Sequence, residues 1–142
     1  MTRRQLRESI FKVLFRIEFN DKQEWNEQLE FYIEELVNPA EAEEESGIDD
    51  LDVAYIKQKV KDIFERVDEL DAAISENTEG WSLNRIGKTE LAILRLAVYE
   101  MKYDEDVPQK VAINEAVELA KRYCADEAKG FVNAVLAKLT RE

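Results

Sequence analysis

Apolar side chains recur at steps of three and four residues along almost the whole chain, which is the spacing of one face of an α-helix. The clearest case is the stretch of about residues 51–75, where the steps alternate between four and three: Ile56, Val60, Ile63, Val67, Leu70 and Ile74. Such a seam predicts a long helix that packs lengthwise against its neighbours. No stretch shows the alternation typical of a half-buried strand. The pattern therefore predicts an all-α protein.

Breaks in this pattern divide the chain into about seven helices, expected over about residues 2–20, 21–38, 51–75, 82–87, 88–103, 108–124 and 126–139. Thr2 is suited to cap the first helix, and Asn38-Pro39 ends the second. In the short fourth helix, Ser82 is the expected cap and Gly87 the expected end. The helix over 88–103 is apolar on nearly every side, which predicts a central, enclosed position.

Charge is distributed unevenly over the sequence. The 142 residues carry a formal net charge of −12, yet residues 1–16 contain five basic side chains and one acidic side chain. This gives the opening helix a charge of +4 and leaves −16 on the remaining 126 residues. A strongly acidic surface disfavours nonspecific contact with nucleic acids and membranes. Any nucleic-acid contact must therefore be local.

The most acidic stretch is a candidate cation site or a loop. Residues 41–52, "EAEEESGIDDLD", hold seven acidic side chains and no basic one. Their spacing fits no EF-hand loop. We therefore interpret about residues 39–50 as a solvated acidic loop.

Composition also excludes several classes of protein. The chain suits one domain with a core, and no apolar run is long enough to span a membrane. It has no histidine, and its one cysteine, Cys124, cannot form an internal disulfide, which indicates a reducing, cytoplasmic setting. Nucleophile elbows, phosphate-binding loops and metal-ligand spacings are absent from the sequence. We therefore predict a binding module that is not an enzyme and needs no cofactor or metal.

The apolar core face of the opening helix is predicted to contain Leu6, Ile10, Val13, Leu14 and Ile17. A second stripe lies beside this face. Three phenylalanines recur there at i, i+4 and i+8, interleaved with basic side chains: Phe11, Phe15, Phe19, Arg4, Arg7 and Lys12. Single-stranded RNA is bound by aromatic rings that stack on unpaired bases and by cations that contact phosphates. The alternative is that the phenylalanine row packs on another helix. Helical geometry alone leaves both interpretations open.

Three blocks of sequence resemble the NusB family of bacterial transcription antitermination factors. They are "ILRLAVYEM" (93–101), "VPQKVAINEAVELAKRY" (107–123) and "FVNAVL" (131–136), and "RRQLRES" near the start adds to them. The resemblance implies an all-α fold of about seven helices in two small bundles packed across each other. It also implies that residues 1–142 are a single RNA-binding domain.

The resemblance further implies a function and a set of RNA-binding residues. Together with NusE, a ribosomal protein of the small subunit, NusB-like proteins bind the boxA element of nascent ribosomal RNA. The pair acts in the transcription elongation complex and helps RNA polymerase read through terminators. The implied RNA-binding residues are Arg3, Arg4, Arg7, Lys12, Phe15, Glu127, Lys129 and Phe131. Phe15 stands where a tyrosine is common in the family.

Two other functions remain open at this point. The chain could be a purely protein-binding helical adaptor whose phenylalanine row docks a partner helix. It could also be the RNA-binding accessory domain of a ribosomal RNA methyltransferase, which would require a fused cofactor-binding α/β domain. The sequence leaves the oligomeric state, the NusE-binding face and the bases read undetermined.

Overall fold

The computed structural model describes residues 1–38, 48–78 and 83–140. These residues contain no strand and form six α-helices: α1 (Arg3–Arg16), α2 (Trp25–Val37), α3 (Asp50–Ser75), α4 (Lys88–Tyr103), α5 (Gln109–Tyr123) and α6 (Ala128–Leu139). Short 3-10 turns cover Ile17–Phe19, Lys22–Glu24 and Leu83–Arg85. The all-α prediction is confirmed. None of these helices combines the length and the apolar character that a membrane span needs.

The predicted count of seven helices is wrong by one. The short helix expected over 82–87 is a single 3-10 turn, in which Ile86 N donates to Leu83 O at 3.2 Å. Its expected cap, Ser82, lies outside the described residues. Gly87, its expected end, has an extended backbone (φ −59°, ψ 148°) and is the N-cap of α4. The extended backbone at Gly87 ends the turn and begins α4 at residue 88.

The chain divides into two compact units, Met1–Phe64 and Glu65–Glu142, and the boundary falls inside α3. The first unit contains α1, α2 and residues 50–64 of α3. Its core includes most of the apolar face predicted for the opening helix. Leu6 is partly exposed, and the other four residues of that face are buried: Ile10, Val13, Leu14 and Ile17. Helix α1 packs on α2. Helix α2 meets α3 through the Trp25 and Phe64 rings, whose centroids are 5.3 Å apart.

The second unit is built around α4. All residues from 91 to 100 of this helix are buried, and it packs against both α5 and α6. The prediction of a central, enclosed helix is therefore confirmed. The α3 seam is buried along its whole length, so its period of four and three identified the inner face of the helix correctly.

The predicted acidic loop, about residues 39–50, lies mostly outside the described residues, which resume at Ile48. Asp50 is the first residue of α3. Just before it, Asp49 Oδ1 accepts a hydrogen bond from Asp52 N at 2.8 Å. An acidic side chain at this position satisfies a backbone donor of the first turn and interacts favourably with the helix dipole.

Candidate nucleic-acid interface

The start of α1 is held in place by a cap and by the chain terminus. Thr2 Oγ1 accepts a hydrogen bond from Gln5 N at 3.1 Å, and Gln5 Oε1 accepts one from Thr2 N at 2.8 Å. This reciprocal capping box confirms Thr2 as the cap. The Met1 ammonium donates to Asp52 Oδ2 of α3 at 2.8 Å, and this hydrogen bond raises the pKa of the Met1 amino group. The first turn of α1 is thus ordered without a ligand.

The basic residues selected from the sequence lie on this ordered helix. Arg3 and Arg4 are exposed in its first turn, and Arg7 is partly exposed one turn later. Lys12 is exposed two turns along, where its Nζ lies 3.5 Å from Glu8 Oε1. Such a surface pair contributes at most about 1 kcal/mol. Lys12 can therefore exchange Glu8 for a phosphate at little cost.

The position of the arginines is unfavourable for the helix itself. Arg3 and Arg4 lie at the positive end of the α1 dipole, and the first turn contains no acidic residue. Cations at a helix N-terminus cost a few tenths of a kcal/mol each, where an acidic residue would stabilise the helix by a similar amount. The arginine charge and the helix dipole have the same sign, so both attract an anion to this turn. Residues placed against a local stability rule are typical of functional surfaces.

Arg16, at the other end of α1, serves the fold instead. Its Nη2 lies 2.9 Å from Glu35 Oε2 of α2. Its guanidinium carbon lies 5.5 Å from the centroid of the Tyr32 ring, so a cation–π contact is added to the ion pair. Burial raises the pKa of Tyr32, which keeps this ring neutral. The basic charge of α1 therefore divides into a patch near its start and a structural contact at its end.

The three phenylalanines of α1 form a continuous row, but their exposure differs. The Phe11 and Phe15 ring centroids are 6.5 Å apart, and those of Phe15 and Phe19 are 5.2 Å apart at an interplanar angle of 74°. Phe11 is 3% exposed and belongs to the core, Phe15 is partly buried, and Phe19 is 60% exposed. The interpretation of the row as helix packing is thus correct for Phe11. Phe15 was implied as an RNA-binding residue by the family resemblance, and the periodicity of the row gave no measure of how exposed each ring is.

The turn that follows α1 is held by specific hydrogen bonds. Asn20 Nδ2 donates to Arg16 O at 3.0 Å, and Asn20 N donates to Ile17 O at 3.1 Å. Trp25 Nε1 donates to Asn20 O at 3.2 Å. The Lys22 ammonium lies 5.9 Å from the centroid of the Trp25 ring. These contacts fix the backbone that carries Phe19.

The remaining predicted residues lie together at the start of α6, in the second unit. Glu127 is the N-cap of this helix, where its side chain makes no capping bond and is exposed. Lys129 is exposed in the first turn, and Phe131 is partly buried. Between them, the Cα of Gly130 faces open space. The structure therefore groups Arg3, Arg4, Arg7, Lys12 and Phe15 on α1, and Glu127, Lys129 and Phe131 on α6.

Cys124, the one thiol of the chain, follows α5. Burial raises its pKa to about 12, and the Glu90 carboxylate adds to the shift by its charge and by a hydrogen bond. At neutral pH the nucleophilic thiolate is therefore negligible. Across the described ranges, no group of three or more acidic or cysteine side chains is arranged to hold a metal ion.

Comparison with known proteins shows that both the sequence and the fold are similar to those of one family. The family model for the NusB family matches residues 4–141. The transcription antitermination protein NusB of Agathobacter rectalis is 53% identical over 138 residues, which are 97% of this chain and 98% of the relative. The structure of T. maritima NusB is similar with a TM-score of 0.81 at 32% identity, over 98% of this chain and 90% of that one.

A solved complex of the antitermination factors NusB and NusE with double-stranded RNA has the same fold. The superposition of the two structures has a TM-score of 0.77 at 24% sequence identity, and it covers 98% of this chain and 97% of that one. The match to the family model and the identity to the Agathobacter relative extend over nearly the whole sequence. The chain therefore belongs to the NusB family.

Proposed function

We propose that this protein is a transcription antitermination factor that acts together with NusE. The pair binds the boxA element of nascent ribosomal RNA and, in the transcription elongation complex, helps RNA polymerase read through terminators. Family membership supports this function, since the relatives carry that name. The observation that carries the RNA contact is the set of exposed cations at the start of α1 in a chain of net charge −12.

The basic residues of α1 provide the phosphate contacts. Arg3, Arg4 and Arg7 present planar guanidinium groups that bind phosphate oxygens in pairs, and Lys12 adds a point charge two turns along the helix. The acidic remainder of the protein repels RNA that approaches elsewhere. Binding is thereby restricted to one surface, which is a repulsive contribution to specificity.

The aromatic and polar residues contact the bases. Phe15 contributes a ring beside the arginines, and Phe131 contributes one on α6. Lys129 is placed to bind a phosphate, and the Glu127 carboxylate can accept a hydrogen bond from the exocyclic amino group of a base. In this proposal residues 1–142 act as one RNA-binding domain, whose two helical bundles pack across each other.

NusE strengthens the binding in this proposal. The acidic remainder of −16 repels RNA over a Debye length of about 8 Å at physiological salt, so the protein alone binds weakly. A bound basic partner extends the positive surface. Once one protein of the pair holds the RNA, the other meets the same strand at a high effective concentration, and the affinity rises. The complex acts by binding, without catalysis, in the cytoplasm where the transcript is made, and without contact with a membrane.

The decisive experiment is a salt titration of boxA RNA binding with NusE present. We expect the triple variant Arg3→Ala, Arg4→Ala, Arg7→Ala to bind more weakly. Its plot of log affinity against log salt should be flatter by about 2, because each lost phosphate contact on a single strand removes about 0.7. A matched variant with the same charge change, Lys61→Ala, Lys102→Ala, Lys110→Ala, should retain the wild-type slope, since these exposed lysines lie on other helices.

Two results would contradict the proposal. One is wild-type RNA affinity in the triple arginine variant while its helical spectrum is unchanged. The other is formation of a complex with NusE that binds boxA RNA no better than an unrelated RNA of the same length. Tight binding to NusE combined with no RNA binding would instead support the protein-binding adaptor.

A further inference from the structure

We propose that Phe19, in the 3-10 turn after α1, is a base-stacking residue that extends the RNA-binding surface beyond Phe15. The ring would accept one unpaired nucleobase of the single strand that the arginines of α1 hold by its phosphates. This inference rests on the proposed RNA-binding function. It adds a residue and a base position that the family resemblance does not include.

The first argument is the gradient of exposure along the aromatic row. Phe11 is 3% exposed and has no face available to a ligand, whereas Phe19 is 60% exposed. Contact of such an apolar ring with water is unfavourable. Covering it stabilises the complex by about 25 cal/mol for each Å² of apolar surface removed from water. Base stacking covers such a ring and is tolerant of sequence, because every base has a π face.

The second argument is the geometry of the pair that Phe15 and Phe19 form. Their planes stand at 74° with centroids 5.2 Å apart, so one ring directs its edge at the face of the other. Phe15 also has Phe11 at 6.5 Å on the preceding turn. Phe15 is therefore flanked by a ring on each side along the row. Phe19 keeps 60% of its surface exposed, so a base can stack on it without displacing Phe15.

The third argument is that the turn is preorganised. The side-chain amide of Asn20 bonds to Arg16 O at 3.0 Å, and the Trp25 indole bonds to Asn20 O at 3.2 Å. Trp25 is itself held against Phe64 on α3. A stacking residue on a backbone fixed in this way loses little conformational entropy when the base binds.

The charges around Phe19 indicate a base and not a phosphate. Glu18 and Asp21 flank the ring in the sequence, and Lys22 follows. The nearest basic residue of α1 is Arg16, three residues earlier, and its guanidinium is paired with Glu35. The next is Lys12, seven residues earlier, which corresponds to about 10 Å along the helix axis. Phosphates of the strand are thus drawn toward α1, and the base that follows them is left over Phe19.

The test measures the affinity of the protein–NusE complex for boxA RNA and for a series of RNAs with one abasic position each. We expect Phe19→Ala to bind unmodified RNA roughly 5- to 150-fold more weakly with an unchanged salt slope. At one abasic position the variant and the wild type should bind equally, because the partner of Phe19 is missing there. Phe19→Trp should bind at least as tightly as wild type. Phe19→Leu, which keeps an apolar side chain without a π face, should be weakened and guards against a folding defect.

Phe31→Ala is the matched control, since Phe31 is a second exposed phenylalanine, on α2, with 45% of its surface accessible. It should bind RNA as the wild type does. Unchanged RNA affinity in Phe19→Ala, alongside a loss in the triple arginine variant, would overturn the role of Phe19 and leave the proposed function intact. Weaker binding of Phe19→Ala to NusE without RNA would assign the ring to a protein contact and also overturn it. Failure of the wild-type complex to bind boxA RNA would reject the proposed function itself.

Discussion

Arg95 of α4 donates hydrogen bonds from Nε and Nη2 to the two carboxylate oxygens of Asp71 on α3, and both measure 2.8 Å. Arg95 is 6% exposed and lies within residues 91–100 of α4, all of which are buried. The two residues are 24 positions apart in the sequence. A bidentate pair of this kind sets both the position and the rotation of α4 against the second half of α3.

Removing the carboxylate should therefore destabilise the protein strongly. Asp71→Ala leaves a buried guanidinium without its counter-ion, and we expect a loss of about 2–4 kcal/mol in the free energy of unfolding. Urea denaturation followed by circular dichroism measures it. Glu65→Gln, at an exposed position of the same helix, is the control and should change stability by less than about 0.5 kcal/mol. A cost for Asp71→Ala no larger than that of the control would show that water replaces the carboxylate.

The aromatic row of α1 should show a gradient of stability effects. Phe11→Ala empties a core site and should cost about 3–5 kcal/mol. Phe19→Ala removes a ring that is mostly in solvent and should cost less than about 1 kcal/mol, with Phe15→Ala between the two. Chemical denaturation of the three variants gives the order. Equal costs for Phe11→Ala and Phe19→Ala would contradict the assignment of one to the core and the other to the surface.

Cys124 should resist alkylation in the folded protein. Burial and Glu90 raise its pKa to about 12, from about 8.5 in an unfolded chain. At pH 7.5 the thiolate fraction, and with it the rate of reaction with iodoacetamide, should fall by about three orders of magnitude on folding. The folded protein favours the neutral thiol, because the pKa of Cys124 is higher there than in the unfolded chain. The contribution of Cys124 to the free energy of unfolding is therefore complete below about pH 8.5 and is lost as the pH rises toward 12.

Glu90→Gln tests the cause of that shift. Without the carboxylate charge the pKa of Cys124 should fall, and alkylation at pH 8.5 should become faster while the protein stays folded. Mass spectrometry of timed samples, in buffer and in urea, measures both rates. Equal rates in the two conditions would show that the thiol is open to solvent.

The acidic segment should contribute little to folding. Residues 40–46 contain two small apolar side chains, Ala40 and Ala42, and four acidic ones, so they have little apolar surface to bury when the chain folds. Their replacement by a glycine–serine linker of equal length should shift the melting temperature by only a few degrees. The replacement stops before Asp49, whose carboxylate accepts a hydrogen bond in the first turn of α3. Loss of the cooperative transition would show that the segment is structural.

The fold class, the inner faces of the helices and the family could all be predicted from the amino-acid sequence. Periodicity identified the seam of α3 and the enclosed character of α4. The buried face of a helix is set by the spacing of apolar residues within that helix, which is a local property of the sequence. Thr2 was recognisable as a cap for the same reason, since its partner Gln5 is three residues away. The cations of α1 were likewise visible as a local excess of charge.

The burial of each side chain, and its contacts with residues distant in the sequence, could be read only from the packed helices. Phe11, Phe15 and Phe19 share one helical spacing, yet the first lies in the core and the last in solvent, because burial depends on where neighbouring helices end. In place of the short helix expected over 82–87, the structure has a 3-10 turn at Leu83–Arg85 followed by an extended Gly87 that begins α4. The partner of Arg95 was equally invisible in the sequence. A bond between residues 24 positions apart depends on the packing of two helices, and the local pattern of either helix contains no information about that packing.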